Sequence, residues 1–214
     1  MTLNDYFWYF SSAVPIHICN EIIKYAQHHE SKVAITGKQT KLRNPQDPLD
    51  KEEIKILRQK RKSKIVWMDD RWIYKEIHPY LMGANHSAGW NFEWSWSEAC
   101  QFTSYTATGH YGWHQDSWDK PYDDPKRPAY MGKIRKLSMT LNLSDPATYT
   151  GGELEFDPRN HDPQEEKARI LKCPQIKPQG SIVVFPSFVW HRVRPVRSGK
   201  RYSLVCWNLG WPFK

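Results

Sequence analysis

The spacing of apolar positions changes near residue 92. Residues 15–29 (PIHICNEIIKYAQHH) carry Ile16, Cys19, Ile22, Ile23 and Ala26 on one helical stripe, and Pro15 suits a first turn. Residues 69–82 (DDRWIYKEIHPYLM) predict a second helix with Ile73 and Ile77 facing inward and Pro79 kinking or ending it. Between them, residues 37–64 are polar and basic, are broken by Gly37, Pro45 and Pro48, and read as a long mobile excursion with a helical piece from Glu52 to Lys60. After residue 92 the runs QFTSYTA, KLSMTLNLS, GSIVVFP and RYSLVCWNL are rich in β-branched and aromatic residues and are separated by Gly, Pro, Asp and Asn. No helical period lies between them, so a parallel βαβ sheet is not expected. Helices followed by many short strands predict an α+β chain whose β part closes as a sandwich or jelly roll.

The length of 214 residues suits one domain over 1–214, with a helical support at 1–91 and a β core at 92–214. No apolar run approaches a membrane span, and the start of the chain lacks the pattern of a signal peptide. Cys19, Cys100, Cys173 and Cys206 show no metal-site or redox spacing. A reducing, cytoplasmic setting is therefore expected (the host cytoplasm for a phage protein), with no membrane partner. Charge is uneven: residues 32–64 carry a net +7, residues 65–166 a net −7, and residues 167–214 a net +10. The basic zones could attract an anion, while the acidic middle argues against a uniformly basic nucleic-acid binder.

Chemistry concentrates in Gly109-His-Tyr-Gly-Trp-His114-Gln-Asp116. In an extended segment His114 and Asp116 point to the same face and could reach one ion. His191 follows a later strand-like run, in Phe185-Pro-Ser-Phe-Val-Trp-His191. Two imidazoles and a carboxylate form the facial triad of non-haem Fe(II) oxygenases. A helical zinc pair of His110 and His114 is opposed by Gly109 and Gly112. Ten residues after His191 comes Arg201, in a run that places Arg201, Ser203, Val205 and Trp207 on one face. An inward guanidinium is costly unless it meets an anion, and a carboxylate is its natural bidentate partner.

The ordered series over residues 99–209 resembles the 2-oxoglutarate- and Fe(II)-dependent oxygenases of the prolyl 4-hydroxylase type. It comprises the Tyr105–Asp116 segment, Leu137-Ser-Met-Thr-Leu-Asn-Leu-Ser, Gly151-Gly-Glu-Leu-Glu-Phe156, Pro186–Val196 and Gly199–Trp207. The resemblance implies a double-stranded β-helix with supporting N-terminal helices. It implies iron held by His114, Asp116 and His191, and 2-oxoglutarate held by Arg201, with Tyr105 and Ser203 beside its carboxylate. Arginine at 201 departs from the lysine found in many prolyl hydroxylases. Ascorbate is the expected reductant. The implied activity is hydroxylation of a peptide or protein, foremost at proline, with release of succinate and carbon dioxide. Two alternatives stay open: a nucleobase-oxidising oxygenase, for which the basic zones and aromatics speak, and a non-catalytic jelly-roll binding module.

Overall fold

A computed structural model describes residues 5–34, 51–117, 120–159, 161–163 and 165–213. In chain order the elements are β1 (Trp8–Phe10), α1 (Ile16–Gln27), β2 (Lys32–Val33), α2 (Lys51–Lys60), β3 (Arg61–Lys62), β4 (Lys64–Met68), α3 (Arg71–Ser87), β5 (Trp96–Ser97), β6 (Cys100–Tyr105), β7 (His110–His114), β8 (Ile134–Asn142), β9 (Tyr149–Gly151), β10 (Leu154–Asp157), β11 (Leu171–Lys172), β12 (Ile182–Pro186), β13 (Trp190–Val193), β14 (Val196–Gly199) and β15 (Arg201–Gly210).

Two antiparallel sheets face each other. The major sheet has the order β1-β12-β8-β15-β6-β4-β2, with β5 also paired to β15. The minor sheet has the order β11-β10-β13-β7-β3, and β14 and β9 form a separate pair. The fold is an α+β double-stranded β-helix. Its centre is the long pairing of β8 with β15, from Ser203 opposite Asn142 to Gly210 opposite Ile134.

Alternation on β8 decides the layers. Leu137, Met139 and Leu141 are fully buried on the face that meets the helices, in one cluster with Ile22 of α1 and with Ile73, Ile77 and Leu81 of α3. Ser138, Thr140 and Asn142 alternate with them and turn toward the minor sheet. Leu154 and Phe156 of β10 close a second apolar cluster with Val183 and Phe185 of β12. The space between the sheets is thus polar on one side and apolar at its base.

The structure departs from the sequence reading before residue 92. Helix α3 runs through Pro79 and continues to Ser87. Its inward stripe of Ile73, Ile77, Leu81 and Ala84 is fully buried, and that packing outweighs the one backbone hydrogen bond that a proline forgoes. In the excursion at 37–64 the expected helical piece is present as α2, and it leads into β3, which adds an edge strand to β7. Residues 37–50 of that excursion lie outside the described residues. The segment before residue 92 also supplies β1, β2 and β4 to the major sheet.

Leu141 stands opposite Leu204 in the β8–β15 pairing and has no exposure. Leu141→Ala should lower stability by about 2–5 kcal/mol through lost burial and a residual cavity. Urea unfolding followed by tryptophan fluorescence measures this, and an unchanged midpoint would contradict the assigned core.

Candidate active site

Residues from both sheets meet in one cavity. Strand β13 pairs with β7 so that His191 stands opposite His114. The chain leaves β7 through Gln115, whose side-chain amide donates to the carbonyl of Phe188, and Asp116 then turns inward. His114 Nε2 lies 3.7 Å from Asp116 Oδ1, and His191 Nε2 lies 3.5 Å from Asp116 Oδ2. One donor atom from each of the three lies within 4.8 Å of the others. Strand pairing has therefore brought the distant His191 to the neighbouring pair His114 and Asp116.

Both imidazoles have their tautomer set by a backbone carbonyl, which can only accept. His114 Nδ1 donates to Gly112 O at 2.8 Å, and His191 Nδ1 donates to Val189 O at 3.0 Å. Each Nε2 is left with its lone pair free. The Tyr111 ring stacks on His114 with centroids 3.4 Å apart. Burial, then the neighbouring His191, hold the His114 imidazole well below its ordinary pKa, against the opposing pull of Asp116. Burial pushes the Asp116 carboxyl up, but His191, His114 and Arg135 outweigh it and bring it below the usual carboxylate range. Burial also raises the Tyr111 phenol to about 12, so it stays neutral. A neutral His114 imidazole beside an ionised Asp116 suits a divalent metal, and the donor set of two imidazoles and one carboxylate fits ferrous iron.

Arg201 opens β15 from the same cavity. It is 2% exposed and stands opposite Tyr105 in the β15–β6 register. Its guanidinium carbon lies 5.6 Å from the Tyr105 ring centre, and Nη1 donates to Ser203 Oγ at 3.4 Å. Among the described residues no carboxylate lies within ion-pair distance of it. Ser203, Val205 and Trp207 share its face and line the cavity with it, as the alternation predicts. Arg61 of β3 brings a second guanidinium to the wall, donating from Nη2 to Gln101 Oε1 at 2.6 Å and resting 4.5 Å from the Tyr111 ring centre.

Residues 100–208 match the sequence model of the 2OG-Fe(II) oxygenase superfamily. That is half of the chain, and it contains every site residue named so far except Arg61. The chain belongs to this superfamily. Among curated relatives it is 37% identical over 94 residues to a PKHD-type hydroxylase of Hyphomonas neptunium, covering 43% of this chain and 37% of that protein. It is 36% identical over 107 residues to a PKHD-type hydroxylase of Prochlorococcus marinus, covering 50% and 39%. The matches thus span little more than a third of the length of these relatives. Among solved structures, a prolyl-4-hydroxylase of Pseudomonas putida superposes with a TM-score of 0.64 at 17% identity, over 96% of this chain and 93% of that one. A viral collagen prolyl hydroxylase of Paramecium bursaria Chlorella virus-1 gives 0.62 at 18% identity, over 97% of each chain. At that identity the likeness is one of fold. Members of the superfamily use Fe(II) and 2-oxoglutarate, and this chain has the His-Asp-His constellation.

Several site residues were not singled out from the sequence. Gly152 of the Gly151–Phe156 run has φ +68°, and a Cβ there would come within 2.8 Å of the Arg201 stem. Its missing side chain makes room for the guanidinium. Tyr111 and Arg61 were given no role, although Tyr111 lies inside the singled-out histidine segment. Trp207 lines the cavity, whereas Trp113 packs under Arg192 instead. Trp118 and Asp119 lie outside the described residues.

Arg135 braces the site from behind. Two of its nitrogens bind the buried Glu98 carboxylate, with Nη2 to Oε2 at 2.7 Å, and its guanidinium lies 4.0 Å from the Trp207 ring centre. Arg135→Met should cost about 3–5 kcal/mol, because Glu98 would be left buried without its partner. Adding Glu98→Gln should recover much of that loss. A double-mutant cycle by urea unfolding tests this, and additive losses would show that the two groups are not coupled.

Proposed function

We propose that the protein is a 2-oxoglutarate-dependent dioxygenase that hydroxylates a peptide or protein, foremost at proline. The observation that carries the reading is Arg201: a buried guanidinium with no described acid partner, in the cavity that also holds the triad. Such a group is stable only if an anion completes it. A dicarboxylate with one end at Arg201 and the other at the triad supplies that anion.

The roles follow from position. His114, Asp116 and His191 hold the metal through two Nε2 atoms and a carboxylate oxygen. Arg201 receives the far carboxylate of 2-oxoglutarate in a bidentate pair, with the Tyr105 and Ser203 hydroxyls beside it. When bound, ferrous iron supplies the redox chemistry that couples oxidative decarboxylation of 2-oxoglutarate to substrate hydroxylation. Dioxygen is divided: one atom enters succinate and the other the new hydroxyl, and carbon dioxide leaves. The chain itself orients the cosubstrate, excludes water with Leu154, Phe185 and Val205, and lines the cavity with the Trp207 ring. An aromatic wall suits the apolar ring of a prolyl residue. Both solved neighbours are named for prolyl hydroxylation, the viral one for collagen. Four buried free cysteines suit a reducing compartment, and among the described residues no helix is long and apolar enough to cross a membrane. The cytoplasm is the setting we infer.

Purified protein given Fe(II), 2-oxoglutarate and ascorbate should release succinate faster with proline-rich peptides, which should gain 16 Da. A gain confined to oligonucleotides would replace the peptide reading with the nucleobase one. Turnover with neither would favour the non-catalytic binding module. His191→Ala should abolish turnover while the fold survives, and retained turnover would remove the triad. Arg201→Ala should raise the 2-oxoglutarate requirement by about 100-fold, from the loss of a buried charge-assisted pair, with far less change in metal affinity. Equal cosubstrate affinity in variant and parent would refute the anion role.

A further inference from the structure

Asp116 is clamped by two serines that come from the major sheet, and this clamp lies outside the triad itself. Ser138 of β8 donates from its hydroxyl to Asp116 Oδ2 at 2.7 Å. Ser187, just past β12, has its hydroxyl 2.9 Å from that of Ser138. Ser138 has only one proton and spends it on the carboxylate, so Ser187 is the donor in the second bond. The backbone reinforces the arrangement, because Ser187 O accepts from both Asp116 N and Ser117 N at 2.9 Å, and Ser187 N donates to Lys136 O. Both serines have no solvent exposure. A buried hydroxyl chain that ends on an ionised carboxylate is a strong, directional interaction.

The consequence concerns how many positions the metal keeps open. Three protein donors leave three of six octahedral positions free, two for a chelating keto acid and one for dioxygen. A carboxylate that bound through both oxygens would take one of them. We propose that Ser138, oriented by Ser187, is a positioning residue that keeps Asp116 Oδ2 engaged and leaves Oδ1 as the single oxygen offered to the metal. The inference rests on the assignment of His114, Asp116 and His191 as ligands.

Co(II) serves as the probe, titrated under anaerobic conditions into the full chain and followed by its visible absorption. The parent should bind one equivalent, and His191→Ala should lose it. If the parent binds none, the ligand assignment fails and not only the clamp. If the parent binds, Ser138→Ala should weaken Co(II) by about 10–100-fold, the range for partners of metal ligands. Its absorption bands should also change in shape, reporting altered coordination, while thermal unfolding of the metal-free protein stays near the parent's. Ser138→Thr keeps the hydroxyl and should restore both affinity and spectrum. An unchanged affinity and spectrum in Ser138→Ala would overturn the proposal, as would a Thr variant no better than Ala. Should Ser138→Ala fail to fold, Ser187→Ala decides: it should weaken Co(II) by a smaller factor and shift the same bands, and parent-like binding would remove the relay.

Discussion

Two opposite charges share one cavity without pairing. Asp116 and Arg201 are each more than nine-tenths buried, and both line the space between the sheets. Left free to move, a carboxylate and a guanidinium in such a medium would collapse onto each other. The fold prevents this by fixing each to a different sheet. Asp116 follows the minor-sheet strand β7 by two residues and is held by the Ser138–Ser187 hydroxyls, while Arg201 starts the major-sheet strand β15 and lies against Tyr105 and Gly152. Separation keeps both groups available, one to a cation and the other to an anion. Everything else in the site depends on that separation.

The scaffold supplies the rigidity that the separation needs. Strand β15 pairs with β8 from Ser203 to Gly210 on one side, and with β6 from Arg201 to Val205 and then β5 at Asn208 and Leu209 on the other. Arg201 and Trp207 therefore cannot shift relative to Thr140 or Gln101 without breaking a ladder. Behind the cavity, the Glu98–Arg135 pair ties the entry of β6 to β8 and sets Arg135 against Trp207 and the carbonyl of Asp116. The helices act at one remove. α1 and α3 cover the apolar face of β8 and leave its hydroxyl-bearing face to the site.

Legibility in the sequence followed the range of the signal. Alternation on β15 is local, and it correctly placed Arg201, Ser203, Val205 and Trp207 on one face. The triad was legible because its members belong to short runs with strand character, although their convergence depends on the His114–His191 register. What stayed hidden required partners far along the chain. Ser138 looks like an ordinary alternate residue of a strand until Asp116 is placed above it, and Gly152 looks like a turn until Arg201 passes beneath it. β3 is too short to show a period and exists only because β7 offers an edge. Pro79 misled for the opposite reason, since a strong local signal was overridden by four buried side chains on one helical stripe.

Charge counting along the chain misled in a more instructive way. The acidic middle argued against a uniformly basic nucleic-acid binder. In three dimensions some of its acids are paired, Glu98 with Arg135, Asp157 with Arg159 and Asp124 with Arg127 inside the same segment, and Glu155 with Arg192 outside it. The basic zone behaves differently, because Lys55, Arg58, Lys60 and Lys64 stand exposed along α2 and β4. Net charge by segment therefore does not decide between a peptide and a nucleic acid. The walls of the cavity bear more directly on it. Tyr111 is pinned between Arg61 and His114, and Trp207 is pinned under Arg135. Side chains held in place this way wall a cavity between the sheets that can take a small ring from a flexible chain but leaves a stacked duplex no way in. A polyanion could reach the metal only as an extruded base, whereas an extended peptide presents its ring without that cost.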